Sequence, residues 1–241
     1  MQSPDSLPLK IATSGGRTSA MMARLLQQKY GDARQLIFTF CNTGREDPRT
    51  LDFVHECDTR WGLGIIWLEA VVHPEMGVGT THRIVDYITA QRPEYASDPE
   101  VFPNDWQRYA AMMAQRPTEW EHPFEAVMAK FGLPNQVFQS CSRELKERVM
   151  DSYMRDLLGG QPYESAIGIR SDETFRINWV TANLKRLTYP LATQWRATKL
   201  GVRRFWATQP FDLLIKDYEG NCDVCYKKSK RKKATSIREV P

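Results

Sequence analysis

Ser14-Gly15-Gly16-Arg17-Thr18-Ser19 is the stretch from which the fold is read, because an apolar run precedes it and an amphipathic one follows it. Leu9 and residues 11 to 13, ending at Thr13, read as a short strand. Met21, Met22, Leu25 and Leu26 recur at helical spacing up to a stop at Gly31. A glycine pair between strand and helix lets the backbone turn sharply and approach an anion without a Cβ in the way. The helix that follows supplies N–H groups and a favourable dipole, and Ser14, Thr18 and Ser19 add hydroxyls. The spacing is neither that of the kinase-type phosphate loop, which ends in Gly-Lys-Ser/Thr, nor that of the dinucleotide fingerprint with its three spaced glycines. A strand, a phosphate cradle and a helix in that order predict an α/β fold: a doubly wound, mostly parallel sheet with helices on both faces and ligand at the carboxyl ends of the strands.

Two further segments repeat the pattern of strand and polar turn. Residues 36 to 41 are apolar and run into Asn42-Thr43-Gly44-Arg45-Glu46-Asp47-Pro48, with a helix expected near Pro48, where proline suits a first helical position. Residues 166 to 169 form another apolar run, which gives way at Gly168-Ile169-Arg170-Ser171-Asp172-Glu173. A third strand is expected over residues 64 to 70. Between it and Cys141 lies a less regular region, residues 73 to 139, punctuated by seven prolines, and it reads as a helical insertion over the nucleotide site. Helices are expected there over 81 to 91 and 105 to 115. Tyr87, Trp106, Arg108, Tyr109 and Trp120 line a substrate pocket or form the insertion's own small core. Tyr189-Pro190-Leu191 reads as a strand end leading to a helix capped at Thr193, and Lys185 and Arg186 upstream are candidate substrate contacts.

At 241 residues the chain is long enough for one substantial α/β domain, here residues 1 to 226, with a tail over 227 to 241. No run of about eighteen apolar residues suggests a membrane span, and residues 1 to 8 lack the basic-then-apolar pattern of a signal peptide. A cytoplasmic location is the expectation. Five cysteines without a secretion signal favour thiols or metal ligands over disulfides. Cys222 and Cys225 form a Cys-x-x-Cys pair and Cys141 stands at a helix start, a set of thiolates that suits an iron–sulfur cluster and zinc alike. Cys41 and Cys57 read as buried small hydrophobes. The tail carries seven basic residues against one acidic, whereas the body is nearly neutral. Such a block is either a solvated appendage or a surface that neutralises nucleic-acid phosphates.

The Ser-Gly-Gly-x-x-Ser turn resembles the pyrophosphate loop of the adenine nucleotide alpha hydrolase-like superfamily, the PP-loop ATP pyrophosphatases. Asn42-Thr43-Gly44-Arg45-Glu46, Gly168-Ile169-Arg170-Ser171-Asp172-Glu173 and Cys141-Ser142-Arg143-Glu144-Leu145-Lys146 resemble, in the same order, motifs of the phosphoadenosine phosphosulfate reductase family within it. The resemblance covers residues 9 to 176. It implies that Thr13, Ser14, Gly15, Gly16, Arg17, Thr18 and Ser19 hold phosphates, with Mg²⁺ if the ligand is ATP. Asn42, Thr43, Gly44, Gly168, Ile169 and Arg170 would contribute the rest of the nucleotide site, with catalytic roles for Asp172, Glu173 and Lys146. It also implies Cys141, Cys222 and Cys225 as ligands of a [4Fe–4S] cluster, although the family's tandem cysteine here reads Ser140-Cys141. The family's C-terminal nucleophile segment, Glu-Cys-Gly-x-His, is missing. Three cysteines and no such nucleophile resemble instead the tRNA-thiolating members, which adenylate a carbonyl with ATP and then let sulfur displace AMP. The expected function is therefore ATP-dependent adenylation coupled to sulfur insertion or transfer, with tRNA or another nucleic acid as a partner through the basic tail. A divergent sulfonucleotide reductase and a non-catalytic nucleotide- or nucleic-acid-binding protein with a structural metal are the alternatives.

Overall fold

A computed structural model describes residues 7–135, 137–216, 218–222, 225 and 227–239. The first six residues of the expected signal-free N-terminus and the last two of the basic tail lie outside the described residues. Six strands form one sheet: β1 (Leu9–Thr13), β2 (Leu36–Asn42), β3 (Ile66–Val71), β4 (Thr81–Val85), β5 (Glu164–Ile167) and β6 (Leu187–Thr188). Their order across the sheet is β4-β3-β2-β1-β5-β6. β1 pairs in parallel with β2 on one side, Leu9 opposite Leu36, and with β5 on the other, Leu9 opposite Glu164. The chain steps one way from β1 through α1 (Arg17–Tyr30) to β2 and through α2 (Pro48–Trp61) to β3, then returns to the far side of β1. With right-handed crossovers, that reversal covers both faces of the sheet with helices and creates a switch point at the carboxyl ends of β1 and β5. The doubly wound α/β fold expected from the turn motifs is the fold observed.

By internal contacts the chain divides into two compact units. The first comprises the residues up to Phe40, Phe53–Ile66 and Leu158–Leu213. Leu9, Ile11, Met22, Leu26, Phe38 and Phe40 are buried there, as alternation in the strands and the helical spacing of α1 require. Trp206 on α9 (Lys199–Ala207) packs its ring 4.9 Å from Phe53 and 5.6 Å from both Trp61 and Phe211. Cys57 is buried, and burial pushes its thiol pKa up. The remaining helices of this unit are α7 (Trp179–Lys185) and α8 (Pro190–Thr193). Here one expectation is corrected: Thr193 ends α8 rather than capping a helix, because Pro190 starts that helix and the Thr193 hydroxyl donates back to Tyr189 O at 3.0 Å. The threonine cap belongs to Thr198, which accepts from Gly201 N at the start of α9.

The second unit comprises Cys41–Asp52, Trp67–Leu157 and the chain from Leu214 on. Residues 73 to 139 lie wholly inside it. Its helices are α3 (Trp106–Met113), α4 (Pro123–Phe131), α5 (Ser140–Ser142), α6 (Arg148–Leu158) and α10 (Lys230–Glu239). The helix expected over 105 to 115 is α3. The one expected over 81 to 91 is instead β4, antiparallel to β3 with Trp67 opposite Val85 and Val71 opposite Thr81. β-branched Thr81, Ile84 and Val85 suit an edge strand, and Asp86 then breaks the run by accepting from the N–H groups of Ile88 and Thr89. The aromatic residues of this region are its own core. Tyr109 is buried against Phe102, and the Tyr87 and Tyr109 hydroxyls each donate to Asp52 at 2.6 Å. Trp120 lies under the guanidinium groups of Arg83 and Arg116. Both arginines pair with the fully buried Glu69, at 3.2 and 2.8 Å.

Candidate functional site

In the first unit, the end of β1 passes directly into the helix that the glycine pair starts. Thr13 donates its hydroxyl to Thr39 O at 2.8 Å, which pins the strand end to β2. Gly15 turns the chain at φ +73°, and Gly16 is the N-cap of α1 without a side-chain capping bond. Helical hydrogen bonding begins only with Ala20 N to Gly16 O, so the amides of residues 17 to 19 precede the first helical bond. No acidic residue occupies the first turn, and the helix runs fourteen residues, so its dipole favours an anion here. Ser19 shapes the loop from within. Its Oγ accepts from Ser14 N at 3.0 Å, lies 3.0 Å from Ser14 Oγ and donates to Gly16 O at 3.0 Å.

Gly168, two residues from Arg170, lies against this loop. A Cβ built on Gly168 would come within 3.1 Å of Ser19 Cα and 3.4 Å of Ser19 N, so any side chain in the turn after β5 would crowd this loop. The structure thus brings residues 13 to 19 and 168 to 170 together at the switch point, as expected. The cavity under the loop measures only about 10 Å³, room for a single water at most.

Three expected site residues are committed elsewhere in this unit. Arg17 donates through Nε to Asp212 Oδ1 at 2.6 Å and through a terminal nitrogen to Asp212 Oδ2 at 3.0 Å and Leu213 O at 2.5 Å. Its own carbonyl accepts from the Trp206 indole at 2.9 Å. Arg17 therefore ties the start of α1 to residues 206 to 213. Asp172 and Glu173 both pair with Arg170, at 2.9 and 3.2 Å, and Asp172 also accepts from Lys199 N at 3.3 Å. The Arg170 guanidinium holds the Asp172 carboxyl below the usual carboxylate range.

The other expected residues gather in the second unit. Asn42 donates to Glu69 Oε1 at 2.8 Å and to Gln91 O at 2.9 Å, while its own carbonyl accepts from Gly44 N. Thr43 donates both its N–H and its hydroxyl to Glu46 Oε2 at 2.7 Å. The His122 ring lies over Gly44, where an added Cβ would meet Cε1 at 2.7 Å. Residues 221 and 222 come alongside this turn. Asp47 N donates to Asn221 O at 2.9 Å, and Cys222 forms an isolated antiparallel bridge with Glu46.

Lys146 completes the group from a π-helical turn, Arg143–Glu147, between α5 and α6, and single π turns inside helices recur at functional sites. Its ammonium stands 3.7 Å from Glu46 Oε1. Burial opposes that charge, but Cys222, Glu46, Cys41 and Cys141 together outweigh it and hold the Lys146 pKa above its ordinary value. Cys222 donates to Glu46 Oε1 at 3.5 Å, and burial followed by the Glu46 charge pushes its thiol up, with Cys225 adding to the shift. Cys41, buried as expected, points its thiol at Lys146 O at 3.7 Å. Ser140, at the tandem position before Cys141, is fully buried, and among the described residues its hydroxyl has no hydrogen-bond partner.

The thiols of Cys141, Cys222 and Cys41 therefore share the surroundings of one lysine. As placed, they do not make a ligand set: among the described residues no group of three His, Cys, Asp or Glu side chains is positioned to hold a metal ion. Glu46, part of the second turn motif but given no role of its own in the sequence, is the carboxylate around which this group gathers. Its signal was present, as a carboxylate three positions after Thr43 at a strand end.

No helix among the described residues is long and apolar enough to cross a membrane. The basic tail is helical over Lys230–Glu239, where Lys, Arg and Ala are good helix formers. The chain is 29% identical over 222 residues to a nin region protein of Escherichia phage lambda, ORF290, described as uncharacterized; the match spans 92% of this chain and 67% of that protein. No protein-family model and no solved structure matches the chain.

Proposed function

We propose that the chain is an adenine nucleotide-dependent enzyme that acts at the α-phosphate of ATP, adenylating an acceptor for sulfur insertion or transfer. The observation that carries the nucleotide half is the loop at the switch point. A glycine turn, an N-terminus of a fourteen-residue helix without acidic residues and an internal serine brace are pressed against Gly168. Such a loop suits a polyphosphate, whose charge the first-turn amides and the helix dipole stabilise without a lysine. ATP would bring Mg²⁺ with it. The acceptor's oxygen attacks the α-phosphorus, the bond to the bridging oxygen breaks and pyrophosphate leaves with that electron pair. A sulfur nucleophile then displaces AMP.

The sulfur half draws on the shared surroundings of Cys222, Cys141 and Lys146 beside Glu46. No step is assigned to a metal or cluster there, since the thiols as placed do not form a ligand set.

The test is pyrophosphate release from [γ-³²P]ATP, with AMP transfer from [α-³²P]ATP followed on the acceptor fraction. Wild-type protein is expected to release pyrophosphate, and Gly16→Val is expected to abolish both ATP binding and release while remaining folded. Absence of ATP binding by calorimetry in the wild-type protein would overturn the nucleotide half. Sulfite release from a sulfonucleotide in place of pyrophosphate from ATP would move the chain to the reductase reading. For the thiols, anaerobic reconstitution followed by iron and sulfide analysis decides. A cluster reading expects Cys141→Ser, Cys222→Ser and Cys225→Ser each to lower iron while Cys57→Ser does not, and one equivalent of zinc without iron would remove it.

A further inference from the structure

We propose that the surface built from residues 174 to 204 of the first unit binds single-stranded nucleic acid, with Phe175 and Trp179 as stacking platforms and the surrounding arginines as phosphate contacts. The inference does not rest on the nucleotide reading. It begins with charge: residues 174 to 211 contain seven Lys or Arg and no Asp or Glu. All seven side chains, including Arg176, Arg186, Arg196, Arg203 and Arg204, are exposed. This concentration is separate from the basic tail.

Exposure of apolar groups in the same place is the second observation. Phe175 is 85% exposed, Trp179 54%, Val180 71% and Leu184 78%. Trp179 meets Tyr189 in a T-shaped pair at 5.9 Å and keeps about half of its surface exposed, at 54%. The segment is one surface rather than a loose strand of chain. Ile169, Ala182, Tyr189 and Ala192 form a small core beneath it, Ser171 N donates to Ala197 O at 2.9 Å, and Lys199 N donates to Asp172. The non-glycine residues with positive φ among those described are Arg186, at +50°, and Arg196, at +47°. Both stand on this surface, in a backbone region disfavoured outside glycine and worth functional notice.

Exposed aromatic rings among basic side chains fit a strand whose bases are unstacked, because every base offers a π face and its phosphates neutralise the cations. Five of the seven cations are arginines, whose planar fork suits phosphate and also stacks. A membrane surface fits less well: beyond Phe175, the exposed apolar groups Trp179, Val180 and Leu184 are three side chains of one helix of seven residues, whereas the cations spread across three elements. A second copy of the chain would place like charges face to face.

The experiment uses the full chain and fluorescein-labelled U20 RNA and dT20 DNA, with anisotropy read across a salt series. Binding to either supports the proposal, and the two arms identify the sugar preferred. Phe175→Ala is expected to weaken binding about tenfold with an unchanged salt slope, since loss of one base stack falls in that range. The double variant Arg203→Glu, Arg204→Glu is expected to flatten the salt slope by about one to two. Binding should quench tryptophan fluorescence, and Trp179→Phe should lose most of that quenching. Because these positions are exposed, thermal melts should be unchanged. The proposal is overturned if the wild-type chain binds neither oligonucleotide at low salt. It is equally overturned if these variants bind as wild type while Lys232→Glu with Lys233→Glu abolishes binding. A third refuting result is capture by phosphatidylserine vesicles without oligonucleotide binding.

Discussion

Replacing Gly168 by alanine tests the geometry of the phosphate loop more directly than any change within the loop itself. Gly168 is not among the positive-φ glycines, so alanine can adopt its backbone and the effect comes from contact alone. The new Cβ would stand 3.1 Å from Ser19 Cα and 3.4 Å from Ser19 N, a few tenths of an ångström too close. Overpacking of this kind costs about 1 to 3 kcal/mol. At about 2 to 4 °C per kcal/mol for a chain of this size, the melting temperature should fall by roughly 2 to 12 °C. Ser19 N belongs to the first turn that the proposed nucleotide would face, so the displacement should lengthen the bond it would make to phosphate. About 1.4 kcal/mol lost there is a tenfold weaker Kd for Mg·ATP. The control is Gly201→Ala, where the nearest atom to the added Cβ is Thr198 Oγ1 at 3.8 Å; within α9 that change should hold or raise the melting temperature and leave ATP binding alone. Calorimetric titration and differential scanning calorimetry of the three proteins decide the matter. A Gly168→Ala protein with wild-type melting temperature and wild-type ATP affinity would show that the β5 turn does not press on Ser19, and the nucleotide site would lose its second wall.

Ser19→Ala should lower stability by about 1 kcal/mol, because Ser14 N–H loses its acceptor, and should weaken ATP binding further by loosening the loop; denaturant melts and titration measure the two effects. Glu69→Ala should cost about 3 to 5 kcal/mol, since it leaves the half-buried Arg83 and Arg116 without their carboxylate, takes one of two acceptors from Asn42 and removes the acceptor of Gln91 N. The expected fall in melting temperature, roughly 6 to 20 °C, exceeds that from any exposed ion pair such as Arg60 with Glu56. His122 gives a pH dependence. Burial holds its pKa below the ordinary histidine value, with Arg45 and Arg116 adding to the shift and Glu125 and Glu69 opposing it. The unfolded chain therefore takes up the proton first as pH falls. The contribution is fully present above about pH 6.5 and is lost as pH drops from there through the folded pKa. The physical event is loss of the α4 cap, for only the unprotonated Nδ1 can accept from Glu125 N. His122→Asn, which keeps a capping acceptor without a proton to gain, should flatten the fall in stability between pH 7 and 5, measured by urea melts; an unchanged slope refutes the assignment.

How much of this was legible in the sequence depends on how local each signal is. The turn at residues 14 to 19 could be read because the strand, the glycines and the helix are contiguous, and their conformations follow from neighbours along the chain. β4 could not. Residues 81 to 91 carry apolar groups whose spacing suits a short helix, and what makes 81 to 85 a strand is the free edge of β3, fourteen positions away at Glu69 and Arg83. Arg17 looked available to phosphate because nothing nearby in sequence claims it. Its partner, Asp212, is 195 positions distant, and only the packing of Trp206 beside α1 brings that carboxylate within reach. Likewise Asp172 and Glu173 read as candidates for catalysis, whereas Arg170 two and three positions before them pairs with both.

The same distinction separates the two halves of the proposed chemistry. The phosphate-loop residues and Gly168 lie in the first unit, and the thiols, Lys146 and Glu46 lie in the second. Each group is held by its own hydrogen bonds: the Ser19 brace in one, and the Glu46 clamp on Thr43 with the Cys222 bridge in the other. Neither reading lends support to the other beyond the resemblance that suggested both. A chain whose ATP affinity falls with Gly168→Ala but whose cysteine variants change neither iron nor zinc content keeps the nucleotide reading and gives up the cluster. The reverse outcome, metal bound through Cys141, Cys222 and Cys225 without ATP binding, makes the strand-to-helix turn a plain structural corner. In that case the Ser19 hydrogen bonds serve only to start α1, and the function must be sought in the thiols and the basic surfaces.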